Sequence, residues 1–316
     1  MDTRKVLEMG GGTVLISLPK DWARRNGIVR GTSVVVEEIS ARRLMVRPIA
    51  EEGKREEDPE VVIEYPRESL SYVSNDITGA YLMGSKAIRI AGRSVITRED
   101  RNKLRAAVVR LVGLEIVDED AKGMTMQFLP DPAVLDPEKI VRRMASLIGG
   151  MLRDSSEGIT NDRGLLAQVG ERDDEVDRLY FLLVRTIRTA TIDPEVAERY
   201  GLAPIECLDY RVLASYLESL GDAVADFAKR ASGETLGREV ASQLREFLGG
   251  LEKMGEVAIA SFLARRRVQP KRTHGEVGAM RERLGELSRG LVGMKGTSTG
   301  MIVDLLALPT YQFRPG

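Results

Sequence analysis

Hydrophobic and polar positions change their period along this chain of 316 residues, and the changes divide it. Up to about residue 48 the alternation is that of strands: VLEM, TVLISLP, TSVVVEEI and RLMVRP. Between the second and third runs lies PKDWARRNG, one short helix with Pro19 near its start and Gly27 after its end. Four short strands and one helix enclose a marginal core, which usually needs a second copy to complete it. From 61 to 130 strand and helix patterns alternate. VVIEY and KAIRIAG read as strands around the helical ESLSYVSNDITGAYLM, and LEIVDED and GMTMQFLP as two further strands. Thr97 and Asp100 open a helix to about Val112 in the manner of a capping box. The arrangement is that of a small α/β layer domain of unassigned role. From Asp136 onward the helical period takes over, with helices near 137–157, 162–191, 207–232, 235–266 and 275–293 and a shorter one near 299–307. In the third, Leu213, Leu217, Leu220, Val224, Phe227 and Ala231 recur alternately four and three residues apart, the seam of a helical bundle.

Charge sharpens these boundaries. The chain is 43% apolar and 30% charged, enough to bury real cores, and its net charge of −1 excludes a uniformly basic nucleic-acid coat. The charges are nevertheless segregated. Residues 1–50 carry nine Lys and Arg against five Asp and Glu, whereas 51–60 carry six acids against two bases. A small basic module is thus followed by an acidic, Pro-containing linker. The rest is nearly balanced, net +1 over 61–130 and −2 over 131–316.

Several chemistries are excluded or reduced by what the chain carries. One cysteine, Cys207, rules out an intramolecular disulfide and cysteine-cluster metal sites, and reads as a small buried hydrophobe. One histidine, His274, sits in a basic polar connection and faces solvent rather than a catalytic partner. Gly10-Gly11-Gly12 precedes a strand and no Lys-Ser/Thr follows, so it is a hairpin loop and not a phosphate cradle. Arg265-Arg266-Arg267 with Lys271 and Arg272 form a basic run at a helix end, either solvated or open to polyphosphate, DNA or an acidic partner. An enzyme is not expected. No apolar stretch approaches the ~18–20 residues of a membrane span, and no signal-type segment opens the chain; a cytoplasmic protein without membrane insertion is expected.

The string RKVLEMGGGTVLISLPKDWARRNGIVRGTSVVVEEISARRLMVRP resembles the swapped-hairpin fold of the SpoVT/AbrB family of DNA-binding domains. The resemblance rests on the strand–glycine–strand opening, Leu18-Pro19-Lys20, the helix ending in Asn26-Gly27 and the turn at Gly31. It implies a β-barrel homodimer of interleaved hairpins, with DNA contacted by Arg4, Lys5, Lys20, Arg24 and Arg25. A dimer doubles the local charge to +8, enough for several phosphate contacts and a salt-sensitive affinity. The plainer alternative is a module that only dimerises.

The helical part carries acids at helical spacing. Asp173 and Asp177 lie four apart in one helix, and Glu218, Asp222 and Asp226 four apart in the next. Like charges so placed repel by ~0.2–0.5 kcal/mol per pair, so solvent, an Arg or a cation must offset them. Helical geometry puts Asp173 and Asp177 at the border of the apolar face, with Asp174 pointing away. Glu218 and Asp222 border a strip of small residues, Ala214, Gly221 and Ala225. Spacing alone leaves open ordinary ion pairs with Arg172, Arg178 or Arg211 and convergence of four carboxylates on a metal.

These segments resemble the PhoU family of phosphate-uptake regulators, whose three-helix repeats carry an acidic-x-x-x-Asp motif that binds metal clusters. Asp173-Asp-Glu-Val-Asp177 and Glu218-Ser-Leu-Gly-Asp222, with Asp209-Tyr-Arg211 ahead of the second, match that motif. The resemblance implies one repeat over 136–233 and a degenerate second over 234–308, where only Glu282 with Glu286 and a lone Asp304 stand in for the motif. At most one acidic site per chain is expected, at Asp173, Asp177, Glu218 and Asp222, for a divalent or iron-type metal.

The expected protein is multidomain α+β: a swapped-hairpin β-barrel dimer, a small α/β middle domain and an all-α bundle of two three-helix repeats. The function implied is phosphate-responsive regulation through DNA. The alternative is an accessory protein that binds the phosphate ABC transporter, its sensor or polyphosphate.

Overall fold

The computed structural model describes residues 3–9, 11, 13–40, 43–48, 60–131 and 135–264, with isolated helical positions between 278 and 289. The acidic linker up to residue 59, His274, the basic run from Arg265 to Arg272, most of the fifth expected helix, the sixth, and Asp304 lie outside the described residues. By internal contacts the chain forms two units, Met1–Asp58 and Pro59–Gly316.

The first unit contains β1 (Val6–Met9), β2 (Thr13–Ile16), α1 (Lys20–Arg25), β3 (Val34–Ser40) and β4 (Arg43–Pro48). β1 pairs with β2 and β3 with β4, both antiparallel, giving two separate two-stranded sheets. No closed barrel forms among the described residues of the single chain. The hairpin of β1 and β2 buries neither face: Val6, Leu7, Met9, Val14, Leu15 and Ile16 are all exposed. An isolated hairpin of this kind is marginal in water.

The second unit begins with β5 (Val61–Tyr65), α2 (Leu70–Leu82), β6 (Ala87–Gly92), α3 (Arg98–Val109), β7 (Leu114–Glu119) and β8 (Gly123–Phe128). The sheet order is β5-β6-β8-β7, with β5 parallel to β6 and the other pairs antiparallel. β5, β6 and β8 bury alternate residues, so Ile63, Tyr65, Ile88, Ile90, Met124 and Met126 meet Val73, Ile77 and Leu104 of the helices. Thr97 caps α3 by accepting from the Asp100 N–H. The expected capping box is only half made, because the Asp100 carboxylate accepts the Tyr65 hydroxyl at 2.7 Å.

The helices follow: α4 (Pro137–Thr160), α5 (Gly164–Ile192), α6 (Pro194–Arg199), α7 (Pro204–Gly233) and α8 (Arg238–Ala264). Four of them fall on the periodic segments of the sequence. The short α6 was not anticipated; Asp193 ends α5 and caps α6 through the Glu195 and Val196 N–H groups, with Pro194 at the first helical position. α4, α5 and α7 pack on one another and α8 lies against α4. The seam residues Leu217, Val224, Phe227 and Ala231 are buried, while Leu213 and Leu220 are partly buried against the same core.

Arg185 is the buried joint between the sheet layer and the bundle. Arg185 of α5 is buried, and its guanidinium donates to the carbonyls of Tyr81, Gly84 and Ser85 at 2.6, 3.2 and 3.0 Å. It thereby serves carbonyls at the end of α2, sharing that of Tyr81 with the Gly84 N–H, where Gly84 turns the chain at φ +94°. The same guanidinium lies 3.8 Å from the Phe128 ring centre and 4.9 Å from that of Tyr81. Phe128 packs against both hydrophobic clusters of this unit, so sheet and bundle share a side chain as well as a joint.

Candidate functional site

The third turn of α5 and the middle of α7 run side by side, and their facing surface decides where the acids go. Gly221 is buried in this crossing, and a Cβ placed on it would lie 3.0 Å from Asp173 Oδ1 and 3.2 Å from Val176 Cγ1. The missing side chain is therefore the space that the Asp173 carboxylate occupies. Asp173 Oδ1 is buried there without a hydrogen-bond partner. Such an orphan oxygen is costly, because it has lost water and gained nothing in exchange.

The remaining acids surround it. Asp177, Glu218 and Asp222 each present a carboxylate oxygen within 4.8 Å of the others. Asp173 is not in that closest trio, but it lies beside it and feels Asp222, Asp177, Asp174 and Glu218 electrostatically. Burial, reinforced by these four like charges, pushes the Asp173 carboxyl up to about 7. Burial and then Asp222 raise Glu218, which accepts from Ser219 Oγ. Asp222 is raised by burial, Asp177 and Asp226. All four expected ligands thus belong to one anionic locality. Among the described residues no other group of three or more such side chains converges.

Of the arginines named by spacing as alternative partners, none forms an ion pair with the four acids among the described residues; Arg178 keeps a buried Nε without a hydrogen-bond partner, and Arg211 acts on Glu218 only electrostatically. Arg172 pairs with Asp154 at 2.5 Å. Arg211 donates to Ser215 Oγ and Tyr180 Oη and lies over the Tyr180 ring. Asp177 is held instead by Arg110, at the end of α3, through Nη2 to Oδ2 at 2.8 Å. Sequence inspection missed this partner because it lies 67 residues upstream in the sheet layer, beyond any helical spacing.

The basic module shows a different electrostatic picture. Lys5, Lys20 and Arg25 are exposed and make no ion pair among the described residues; Arg24 is also exposed and lies 3.6 Å from Asp21. Arg4 is exposed as well. Lys20, Arg24 and Arg25 belong to α1, while Lys5 directly precedes β1.

Residues 141–231 match the family model of the PhoU domain, a span that takes in nearly all of α4, the whole of α5 and α6 and most of α7. The match therefore contains the four acids and supports the PhoU family for this part of the chain. No curated protein and no solved structure matches the chain.

Proposed function

We propose that this chain is a regulator of phosphate homeostasis, in which a helical sensor carries a cation between α5 and α7 and a basic N-terminal dimer binds DNA. The observation that carries the reading is the coincidence of the PhoU-domain match over 141–231 with the helices that gather Asp173, Asp177, Glu218 and Asp222.

A cation suits these residues on three counts. The donor set is all carboxylate, which favours hard divalent ions. Asp173 keeps a buried, unbonded oxygen. Gly221 leaves that oxygen room where any side chain would intrude. A bound cation would supply charge neutralisation at the α5–α7 crossing. Asp177, Glu218 and Asp222 would hold it, while Asp173 holds the buried side of the cluster and Gly221 sets how closely the helices approach.

For DNA, the support is the exposed set Lys5, Lys20, Arg24 and Arg25 together with the uncovered apolar faces of β1 and β2. A second copy laid on those faces would bury Val6, Leu7, Val14 and Ile16 and bring two basic sets onto one structure. Phosphate transporter or sensor proteins remain the partners that the PhoU domain suggests.

The test has two arms. In the source organism, loss of the gene should leave phosphate uptake unrepressed in phosphate-rich medium; uptake indistinguishable from the parent strain contradicts the regulatory reading. In a mobility-shift titration against DNA upstream of phosphate-transport genes, binding should weaken steeply with salt. Arg24→Ala/Arg25→Ala in both subunits should make the salt slope shallower by about 2 to 4. An unchanged slope would mean that these arginines do not touch phosphates.

A further inference from the structure

We infer that Arg110 is a built-in competitor for the cation: its guanidinium holds Asp177 until a divalent ion takes that carboxylate, and the exchange loosens the end of α3 on α5. The inference rests on the cation reading above and adds a residue outside the matched segment.

Among the described residues Arg110 alone forms an ion pair with the acidic cluster, and it joins two layers of the unit. Its backbone ends α3 in the sheet layer, and Leu111 and Leu114 follow it into that layer's core. Its side chain crosses to α5, where Nη2 donates to Asp177 Oδ2 at 2.8 Å, and two residues on Val112 packs against the bundle core. Asp177 is also one of the three carboxylates that converge within 4.8 Å. A cation drawing on Asp177 must therefore work against a positive charge already seated there.

Exchange is feasible because the pair is exposed on one side. The Arg110 side chain is 55% exposed and that of Asp177 25%. Pairs open to water in this way shift an equilibrium by about fivefold or less. A divalent ion meeting three carboxylates at once outbids a single guanidinium contact. Once displaced, the guanidinium has water to go to, so its release carries no burial penalty.

The second joint between the layers behaves in the opposite way. Arg185 is buried on three carbonyls and two rings, none of which a cation at the cluster touches. Cation binding would then loosen the α3 end, left to the Val112 contact, while α2 stays docked on α5. The site's occupancy is thereby written into the mobility of one edge of the sheet layer, through the segment from Val108 to Gly113.

The experiment is a calorimetric titration of the full-length chain with Mn²⁺ at low ionic strength, for wild type, Arg110→Gln and Arg110→Lys, with amide hydrogen exchange followed over residues 108–113. Arg110→Gln should bind Mn²⁺ about 2- to 5-fold more tightly than wild type, and Arg110→Lys should stay close to wild type. Mn²⁺ should speed exchange over 108–113 in wild type toward the rate that Arg110→Gln shows without metal. Equal Mn²⁺ affinities in wild type and Arg110→Gln overturn the role of Arg110 and leave the cation reading standing. If neither protein binds Mn²⁺, the cation reading falls and this inference with it.

Discussion

At the scale of single residues, two side chains are held in environments that ordinary surface groups never meet. Asp173 has an ordinary carboxyl value of 3.8 when unfolded and about 7 when folded. The folded state therefore holds its proton more tightly, and this contribution to stability is complete below pH ~4 and lost as pH rises through about 7. The half-buried position of the group and the solvent around it keep the effect modest. Asp173→Asn should melt about 2–4 °C above wild type at pH 8 in EDTA, with the gap closing toward pH 4. Parallel melting temperatures of the two proteins across that range would show that Asp173 is not strained. Arg185 is the other case. Arg185→Met keeps the bulk but abandons three carbonyls at the end of α2, and should cost about 2–4 kcal/mol in denaturant unfolding. A loss under 1 kcal/mol would mean that water reaches those carbonyls.

Among the elements, α5 and α7 carry the site, and their crossing depends on a residue with no side chain. Gly221→Val would set new methyl groups against Asp173 Oδ1 and Val176 Cγ1, which already lie 3.0 and 3.2 Å from where a Cβ would stand. Overpacking of this kind costs about 1–3 kcal/mol; unfolding by urea with an unchanged midpoint would show that the helices separate freely. The helical periods, the bundle seam and the acidic spacing were legible because each is written within one element, every few residues. Thr97 as a helix start was legible for the same reason. What sequence could not display joins distant segments. Arg110 reaches Asp177 across 67 residues, and Tyr65 draws Asp100 away from the capping box across 35. Arg185 reads as one more arginine on an amphipathic helix, and only the docking of α2 makes it a buried joint. The same blindness applied to Arg172, whose spacing suggested Asp173 or its neighbours but whose partner is Asp154 on α4.

For the whole molecule, the segregation of charge seen along the chain persists in space within each unit. The basic unit keeps Lys5, Lys20, Arg24 and Arg25 in solvent beside uncovered apolar strands, while the larger unit gathers four acids at one helix crossing. No helix among the described residues is long and apolar enough to cross a membrane. If the apolar strands of the first unit are dimer surface, Val14→Asp/Ile16→Asp should convert a dimer to a monomer in sedimentation. A variant that sediments as wild type would remove the dimer argument. The central claim, however, is that the crossing of α5 and α7 holds a cation, and counting metal tests it most directly. Full-length wild type loaded with Mn²⁺, desalted and subjected to elemental analysis should retain about one ion per chain, as the one converging trio of carboxylates among the described residues predicts, whereas Glu218→Gln/Asp222→Asn should retain almost none. A wild type that emerges metal-free, or a variant that keeps as much as wild type, would contradict the account.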